Sequence, residues 1–193
     1  MAELNGKKVL IISTNYGTER DELQVPLEGL QKLGAEVTVA APNPEEIRTR
    51  IMDDAEGPHV LPDATFADVH TSQYDVLVVP GGTLNADTLR GDENARRIAT
   101  EFAAAGKPIA AICHAPWLLV DTGLARGKRL TSYKSLSTDV KNAGGDWVDA
   151  PLVRDDSDGW TLITSRFPDD LSEFVPAIAR ELVGQGSAQP VSG

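Results

Sequence analysis

The feature that most constrains this chain is the run over residues 107–116, Lys-Pro-Ile-Ala-Ala-Ile-Cys-His-Ala-Pro. Ile109, Ala110, Ala111 and Ile112 make a short continuous apolar stretch, bracketed by Gly106 and Pro116, that reads as a strand buried on both faces. An apolar helix over 117–120 follows directly. Cys113, the only cysteine of the chain, stands where strand gives way to helix. Ala111 and Ala115 flank it at minus two and plus two, the small-x-nucleophile-x-small pattern of a nucleophile elbow, whose tight turn leaves no room for bulk. A side chain held there stands at the C-terminal edge of a parallel sheet, under the N–H groups of the next helix, which favour a thiolate. A lone cysteine is otherwise a small buried hydrophobe. The spacing and the adjacent His114 favour chemistry.

The rest of the chain supplies the sheet that this elbow requires. Residues 8–13 form a first apolar strand, followed by a loop over 14–20. A helix over 21–33 shows Leu23, Leu27, Leu30 and Leu33 at helical spacing and stops at Gly34. A second strand covers 36–41. This strand-helix-strand opening predicts parallel pairing with right-handed crossovers. Residues 43–72 are polar and irregular, with a hairpin-like excursion around 47–51 and 59–61 and a helical turn over 64–69. The pattern resumes with a strand at 76–79, a helix over 93–105 and the strand before Cys113. A short strand at 130–132, a helix over 136–142, edge strands near 147–148 and 153, a last strand at 160–164 and a helix over 169–182 complete it. The expectation is an α/β flavodoxin-like three-layer sandwich, with a mainly parallel central sheet and helices on both faces. It forms one domain over 1–184 with a flexible Gly/Ser/Gln/Pro tail over 185–193.

Composition removes several function classes. A length of 193 residues suits one domain. A net charge of −11 leaves no basic stripe to neutralise phosphates, so no nucleic-acid partner is expected. A single cysteine rules out an internal disulfide framework and fits a reducing cytoplasm. No apolar run reaches the length of a membrane span, and the first six residues lack the pattern of a signal peptide. His59, His70 and His114 are scattered, so no metal is expected. No G-x-G-x-x-G or Walker sequence occurs, and no cofactor is expected. The Ser13-to-Thr18 loop resembles a flavodoxin phosphate loop, which keeps a flavin electron carrier as a minor alternative. No histidine follows His114, so the downstream His-x-Glu of a glutamine amidotransferase is missing.

Further candidates lie near Cys113 in this reading of the fold. His114 can pair with the thiolate, or simply cap the helix. Glu19, in the loop after the first strand, can stay protonated in a desolvated pocket and donate a hydrogen bond to sulfur, stabilising the thiolate; its ordinary role is an acid at a helix N-terminus. Gly81 and Gly82, after Pro80, can offer backbone N–H groups to an oxyanion, together with the Ala115 region, or form a plain strand-ending turn. Asp87 is a carboxylate whose ordinary explanation is solvent exposure.

Assembled in order, these residues resemble the PfpI family within the DJ-one superfamily. The resemblance runs from Lys8 to Leu182. It rests on Glu19 ahead of Glu22-Leu23 and Pro26, Val78-Val79-Pro80-Gly81-Gly82, Lys107-Pro108 with Ala111-Ile112-Cys113-His114, Thr131-Ser132-Tyr133, the stretch from Asn142 to Asp149, and Thr164-Ser165-Arg166 with Pro168-Asp169-Asp170-Leu171. It implies a homodimer or higher oligomer. Cys113 is then the nucleophile and Glu19 the protonated acid. His114 is oriented by an acid from a neighbouring subunit, whose place Asp87 occupies. Ala115 stands where glycine is commoner and Lys134 where proline is usual. The implied activities are a stress-related hydrolase, peptidase-like or glyoxalase/deglycase-like, acting on a small carbonyl compound or a peptide. The alternative is a chaperone or oxidative-stress sensor whose cysteine is oxidised without turnover.

Overall fold

The computed structural model describes residues 3–184; the tail expected over 185–193 lies outside the described residues. The first part of the chain contains β1 (Lys8–Ile12), β2 (Tyr16–Glu19), α1 (Arg20–Lys32), β3 (Glu36–Ala41), β4 (Ile47–Ile51), β5 (Ala55–Val60), β6 (Ala64–Thr65) and β7 (Val76–Val79). Then come α2 (Thr83–Gly91), α3 (Glu93–Ala104), β8 (Ile109–Ile112), α4 (Pro116–Asp121) and β9 (Arg129–Leu130). The chain closes with α5 (Ser137–Asn142), β10 (Asp146–Trp147), β11 (Val153–Asp155), β12 (Leu162–Ser165) and α6 (Leu171–Gly184).

Seven strands form the central sheet in the order β11-β12-β8-β7-β1-β3-β6. Every pairing is parallel except that of β11 with β12. Strand periodicity divides the interior into two cores. Val9, Ile11, Val76, Val78, Ala110 and Ile112 face α1 and α6, where Leu23, Leu30, Phe174 and Ile178 meet them. Leu10, Ile12, Leu77, Val79, Ile109 and Ala111 face the other way, onto Ile98 and Phe102 of α3 and Leu118 and Leu119 of α4. Helices therefore cover both faces, as the uninterrupted apolar strands require. The alanines of β8 suit its central place between β7 and β12.

Three local expectations change. The loop over 14–20 contains β2, which pairs in parallel with β4 and so carries the β4–β5 hairpin as a small three-stranded sheet. A helix, α2, occupies residues 83–91, to which the sequence pattern assigns no element. The strand expected at 130–132 ends at Leu130 and pairs with β10 rather than joining the central sheet. All strand C-termini of the parallel core point to one edge, where the β1–β2, β7–α2 and β8–α4 connections meet.

Candidate active site

Cys113 sits in the left-handed region with φ 63, as an elbow demands. Such a conformation costs a non-glycine residue roughly 1–2 kcal/mol. The turn is held from both sides: the Cys113 N–H donates to Ser165 O at 3.1 Å, and Cys113 O accepts from Tyr133 N–H at 2.8 Å. The residue is 7% exposed and lines a cavity of about 180 Å³. Glu19, Glu22, Asp53, Thr83, His114 and Tyr133 share that cavity.

The neighbouring Pro80-Gly81-Gly82 turn is packed so closely that side chains are excluded. A Cβ on Gly81 would lie 2.7 Å from Glu22 Oε2 and 2.8 Å from Cys113 Cβ. On Gly82, at φ +85, it would lie 2.3 Å from Gly17 O and 2.6 Å from Glu19 N. Asn85, fully buried in α2, ties this turn to the end of β1. Its Oδ1 accepts from Thr14 N–H at 2.8 Å and Thr14 Oγ1 at 2.9 Å, while its Nδ2 donates to Pro80 O at 3.1 Å and Gly81 O at 3.0 Å.

The acid beside the sulfur is Glu22, not Glu19. Glu22 lies one helical turn further along α1 and is fully buried; its carboxyl reaches the Cys113 thiol while Oε2 accepts the Gly81 N–H at 2.8 Å. Its Oε1 has no partner. Glu19, the residue before α1, turns instead to the hairpin, where Oε2 accepts the Met52 N–H at 2.8 Å. The expected oxyanion donors, Gly81, Gly82 and the Ala115 region, do not all face the sulfur. The Gly81 N–H is spent on Glu22 and the Ala115 N–H on Ile112 O at 3.0 Å, which leaves the N–H groups of Gly82 and His114 facing the sulfur.

His114 presents Nδ1 to Cys113 Sγ at 3.1 Å. Its ring is stacked on Tyr133, with centroids 4.6 Å apart, and meets the edge of Trp117 at 5.3 Å. Its other nitrogen, Nε2, lies 3.5 Å from Thr83 Oγ1. Asp87 does not join this group: it is exposed on α2 and absent from the cavity lining, because it falls on the solvent side of a helix whose inner face is Asn85, Ala86 and Leu89. Among the described residues no group of three or more His, Cys, Asp and Glu side chains is disposed to hold a metal ion.

Comparison with known proteins places the chain. The DJ-1/PfpI family model matches residues 7–181. The chain belongs to the DJ-1/PfpI family. A deglycase of Pyrococcus abyssi is 38% identical over 164 residues, covering 85% of this chain and 92% of the relative. General stress protein 18 of Bacillus subtilis is 35% identical over 170 residues, covering 88% and 94%. Among solved structures, a two-domain protein of Anabaena variabilis with DJ-1/ThiJ/PfpI-like and ferritin-like domains superposes with a TM-score of 0.83 at 36% identity. That match covers 95% of this chain and half of the Anabaena one.

The electrostatics of this DJ-1/PfpI site run against a resting thiolate. Burial pushes the Cys113 thiol well up, and a charged Glu22 would push it further; the Gly82 and His114 N–H groups pull the other way and do not prevail. Burial also raises Glu22 to about 8, so at neutral pH its carboxyl keeps its proton. Glu19 is raised for the same reason, opposed by the Met52 N–H. His114 is lowered by burial, against the charge of Asp53, so its imidazole is neutral at pH 7. The helix N-terminus expected to ionise the thiol is thus outweighed by desolvation. A thiol and a neutral imidazole nitrogen 3.1 Å apart make a proton-transfer pair.

Sequence reasoning missed Glu22, Asn85, Thr83, Met52 and Asp53. For Glu22 a signal existed: it follows Glu19 by three positions, so both carboxyls share one end of the helix. For Met52 and Asp53 none did, because only the pairing of β2 with β4 brings the hairpin to this edge.

Proposed function

We propose that the chain is a cysteine-dependent, stress-related hydrolase of deglycase type, acting on small carbonyl adducts at Cys113. The observation that carries this reading is the Cys113 Sγ to His114 Nδ1 contact at 3.1 Å inside a cavity of about 180 Å³. A space of that size suits a ligand of a few heavy atoms, smaller than the pockets that take drug-sized molecules, and favours a small carbonyl compound over a folded peptide loop. Relatives named as deglycases agree with it.

In this reading His114 Nδ1 takes the thiol proton as sulfur bonds to the carbonyl carbon. The carbonyl π pair moves onto oxygen, which the Gly82 and His114 N–H groups receive. The imidazolium then returns its proton to that oxygen or to a departing amine, and water completes the hydrolysis. Protonated Glu22 keeps a second negative charge away from the sulfur throughout. A reducing cytoplasm suits the single free thiol. Self-association as a homodimer or higher oligomer belongs to the same reading.

The test is consumption of methylglyoxal and release of free amine from methylglyoxal-glycated substrates by the wild type, Cys113→Ala and His114→Ala. Loss of turnover of 10³-fold or more in Cys113→Ala, and on the order of 10²-fold in His114→Ala, is expected. Turnover equal to wild type in Cys113→Ala would sink the reading.

One observation favours a second reading, a peroxide sensor. The buried, unpartnered Oε1 of Glu22 is a carboxyl oxygen with an unused hydrogen bond next to the sulfur. Peroxide would add one oxygen to Cys113 with loss of water, and a second equivalent would give the sulfinic acid, which the Glu22 O–H can hold. Mild peroxide followed by intact-mass spectrometry should show a gain of two oxygens that Cys113→Ala lacks.

A further inference from the structure

The β4–β5 hairpin ends in a turn that its sequence does not favour. The Asp54 N–H donates to Ile51 O at 3.1 Å, and the two residues between, Met52 at φ 56 and Asp53 at φ 58, are both left-handed. Turns of this sign are the usual place for Asn-Gly, and neither residue here is glycine. Strain of this kind persists only where surrounding contacts over-determine it. Such contacts surround this turn: the Met52 N–H is held by Glu19, and the Asp53 carboxylate accepts from Thr83 N–H at 3.1 Å and from Thr83 Oγ1 at 2.5 Å.

The Thr83 hydroxyl has one proton. With that proton given to Asp53 Oδ2, the oxygen can only accept towards His114 Nε2, 3.5 Å away. An Nε2–H donated to Thr83 leaves Nδ1 unprotonated, and Nδ1 is the nitrogen that faces Cys113 Sγ. We infer that Asp53, delivered by the strained hairpin tip, is the acid that positions His114 from within the same chain, acting through Thr83. The order is Asp53 carboxylate, Thr83 hydroxyl, His114 imidazole, Cys113 thiol. It fixes which ring nitrogen is the base, as a directly bonded carboxylate does in triads without an intervening hydroxyl. No proton passes to Asp53; the only transfer is from sulfur to Nδ1. Both Asp53 and Thr83 are positioning residues. The other groups facing the ring are the Tyr133 and Trp117 rings, which bring no charge to it. The competing role for Asp53 is that of a cap on α2, whose preceding residue Gly82 has no side chain to serve as one.

This inference rests on His114 being the base for Cys113, but its test does not need the deglycase substrate. Cys113 is the single cysteine, so alkylation by iodoacetamide reads it alone. In that reaction the S–C bond forms, iodide leaves and the thiol proton goes to His114. Asp53→Ala and Thr83→Val should each slow alkylation at pH 7 on the order of tenfold, with Asp53→Asn and Thr83→Ser retaining more of the rate. The double variant should be no slower than the worse single one, since the two act in series. The acid limb of the rate against pH should move to lower pH in Asp53→Asn, because the charge that opposes the lowering of His114 is gone. A purely structural cap predicts otherwise: a loosened hairpin would open the cavity and speed alkylation, and the limb would not move. Unchanged rates in both single variants, multiplied losses in the double, or a larger loss in Asp87→Ala than in Asp53→Ala would each overturn the proposal. If the proposal holds while wild type consumes no carbonyl substrate, only the deglycase reading falls.

Discussion

Two parts of the molecule put left-handed residues against the same cavity, by opposite means. At the elbow, Cys113 is strained but surrounded: small residues lie on both sides, β7 and β12 flank its strand, and its own N–H and C=O are both bonded. At the hairpin tip, Met52 is 77% exposed, and the turn is held to the site by polar contacts to Glu19 and Thr83. The elbow's geometry is therefore a consequence of the core, and the hairpin's is a consequence of docking. Strain inside the core cannot be relieved without unfolding, whereas strain at the tip can be relieved locally. The site has a fixed half carrying Cys113 and Glu22 and a separable half carrying Asp53.

The largest effect that bears on this contrast is expected on the fixed side. Gly82→Ala would place a methyl group 2.3 Å from Gly17 O and 2.6 Å from Glu19 N, both backbone atoms that cannot swing aside, at a φ of +85. The expected cost is about 4 kcal/mol or more, enough to deplete folded protein. Urea unfolding measures it; a variant as stable as wild type would show that the turn is as adjustable as the hairpin.

A second effect separates the halves by pH. Glu22 rises from the ordinary 4.5 to about 8 in the folded chain, chiefly through burial. A carboxyl raised on folding stabilises fully below its unfolded value, and that stabilisation is lost as pH climbs through the folded value. Between pH 5 and 8 the loss should amount to roughly 3–4 kcal/mol. Glu22→Gln, neutral and of the same shape, should flatten this dependence, while Asp53→Asn should leave it in place. Thermal melts across that range decide the point. The ionisation of Glu22 near pH 8 also puts a charge beside the thiol, so alkylation of Cys113 should lose rate on that side in wild type relative to Glu22→Gln.

A third, smaller effect tests how the fixed half is tied together. Asn85→Ala leaves the Thr14 N–H and the Pro80 carbonyl without their buried partner, while the Gly81 carbonyl keeps the Glu19 N–H at 3.3 Å. A loss of about 2–3 kcal/mol is expected, with α2 and Thr83 loosened together. Should stability stay within 0.5 kcal/mol of wild type, a range ordinary for surface changes, the turn would owe its shape to glycine packing alone.

The same contrast explains what the sequence makes legible. The central strands are legible as apolar runs at 8–13, 36–41, 76–79 and 109–112, because a strand covered on both faces leaves a continuous signal, whereas their order in the sheet is set by packing. The elbow is legible for a steric reason confined to five residues, Ala111 to Ala115. The acid is not. Glu19 and Glu22 reach the same edge, and only packing shows Glu22 turned under Gly81 and Glu19 drawn away by the Met52 N–H. Asp87 looked suitable by position, and the face of α2 sends it to solvent. The β2 strand hides within Tyr16-Gly17-Thr18-Glu19, whose glycine reads as loop, and its pairing with β4 brings in Asp53 from more than 50 residues away from Cys113. Residues joined by one turn are readable; residues joined by a sheet pairing are not.

The smallest expected effect is also the one that most directly asks whether the hairpin is separable. Met52→Gly removes an exposed side chain that lines the cavity mouth and replaces a strained left-handed residue by one that adopts φ 56 without cost. The gain from relieved strain, about 1 kcal/mol, is offset in part by the greater freedom of glycine in the unfolded chain, so a net rise in stability of about 0.5 kcal/mol is expected. The Met52 N–H bond to Glu19 needs only backbone and should survive. If the tip is held by docking, the relaxed turn should keep Asp53 on Thr83, and alkylation of Cys113 should stay within about twofold of wild type. If the strain itself presses Asp53 onto Thr83, the more stable variant should react more slowly. A gain in stability with loss of rate would mean that the hairpin stores its strain for the site, and the two halves would then be coupled rather than merely adjacent.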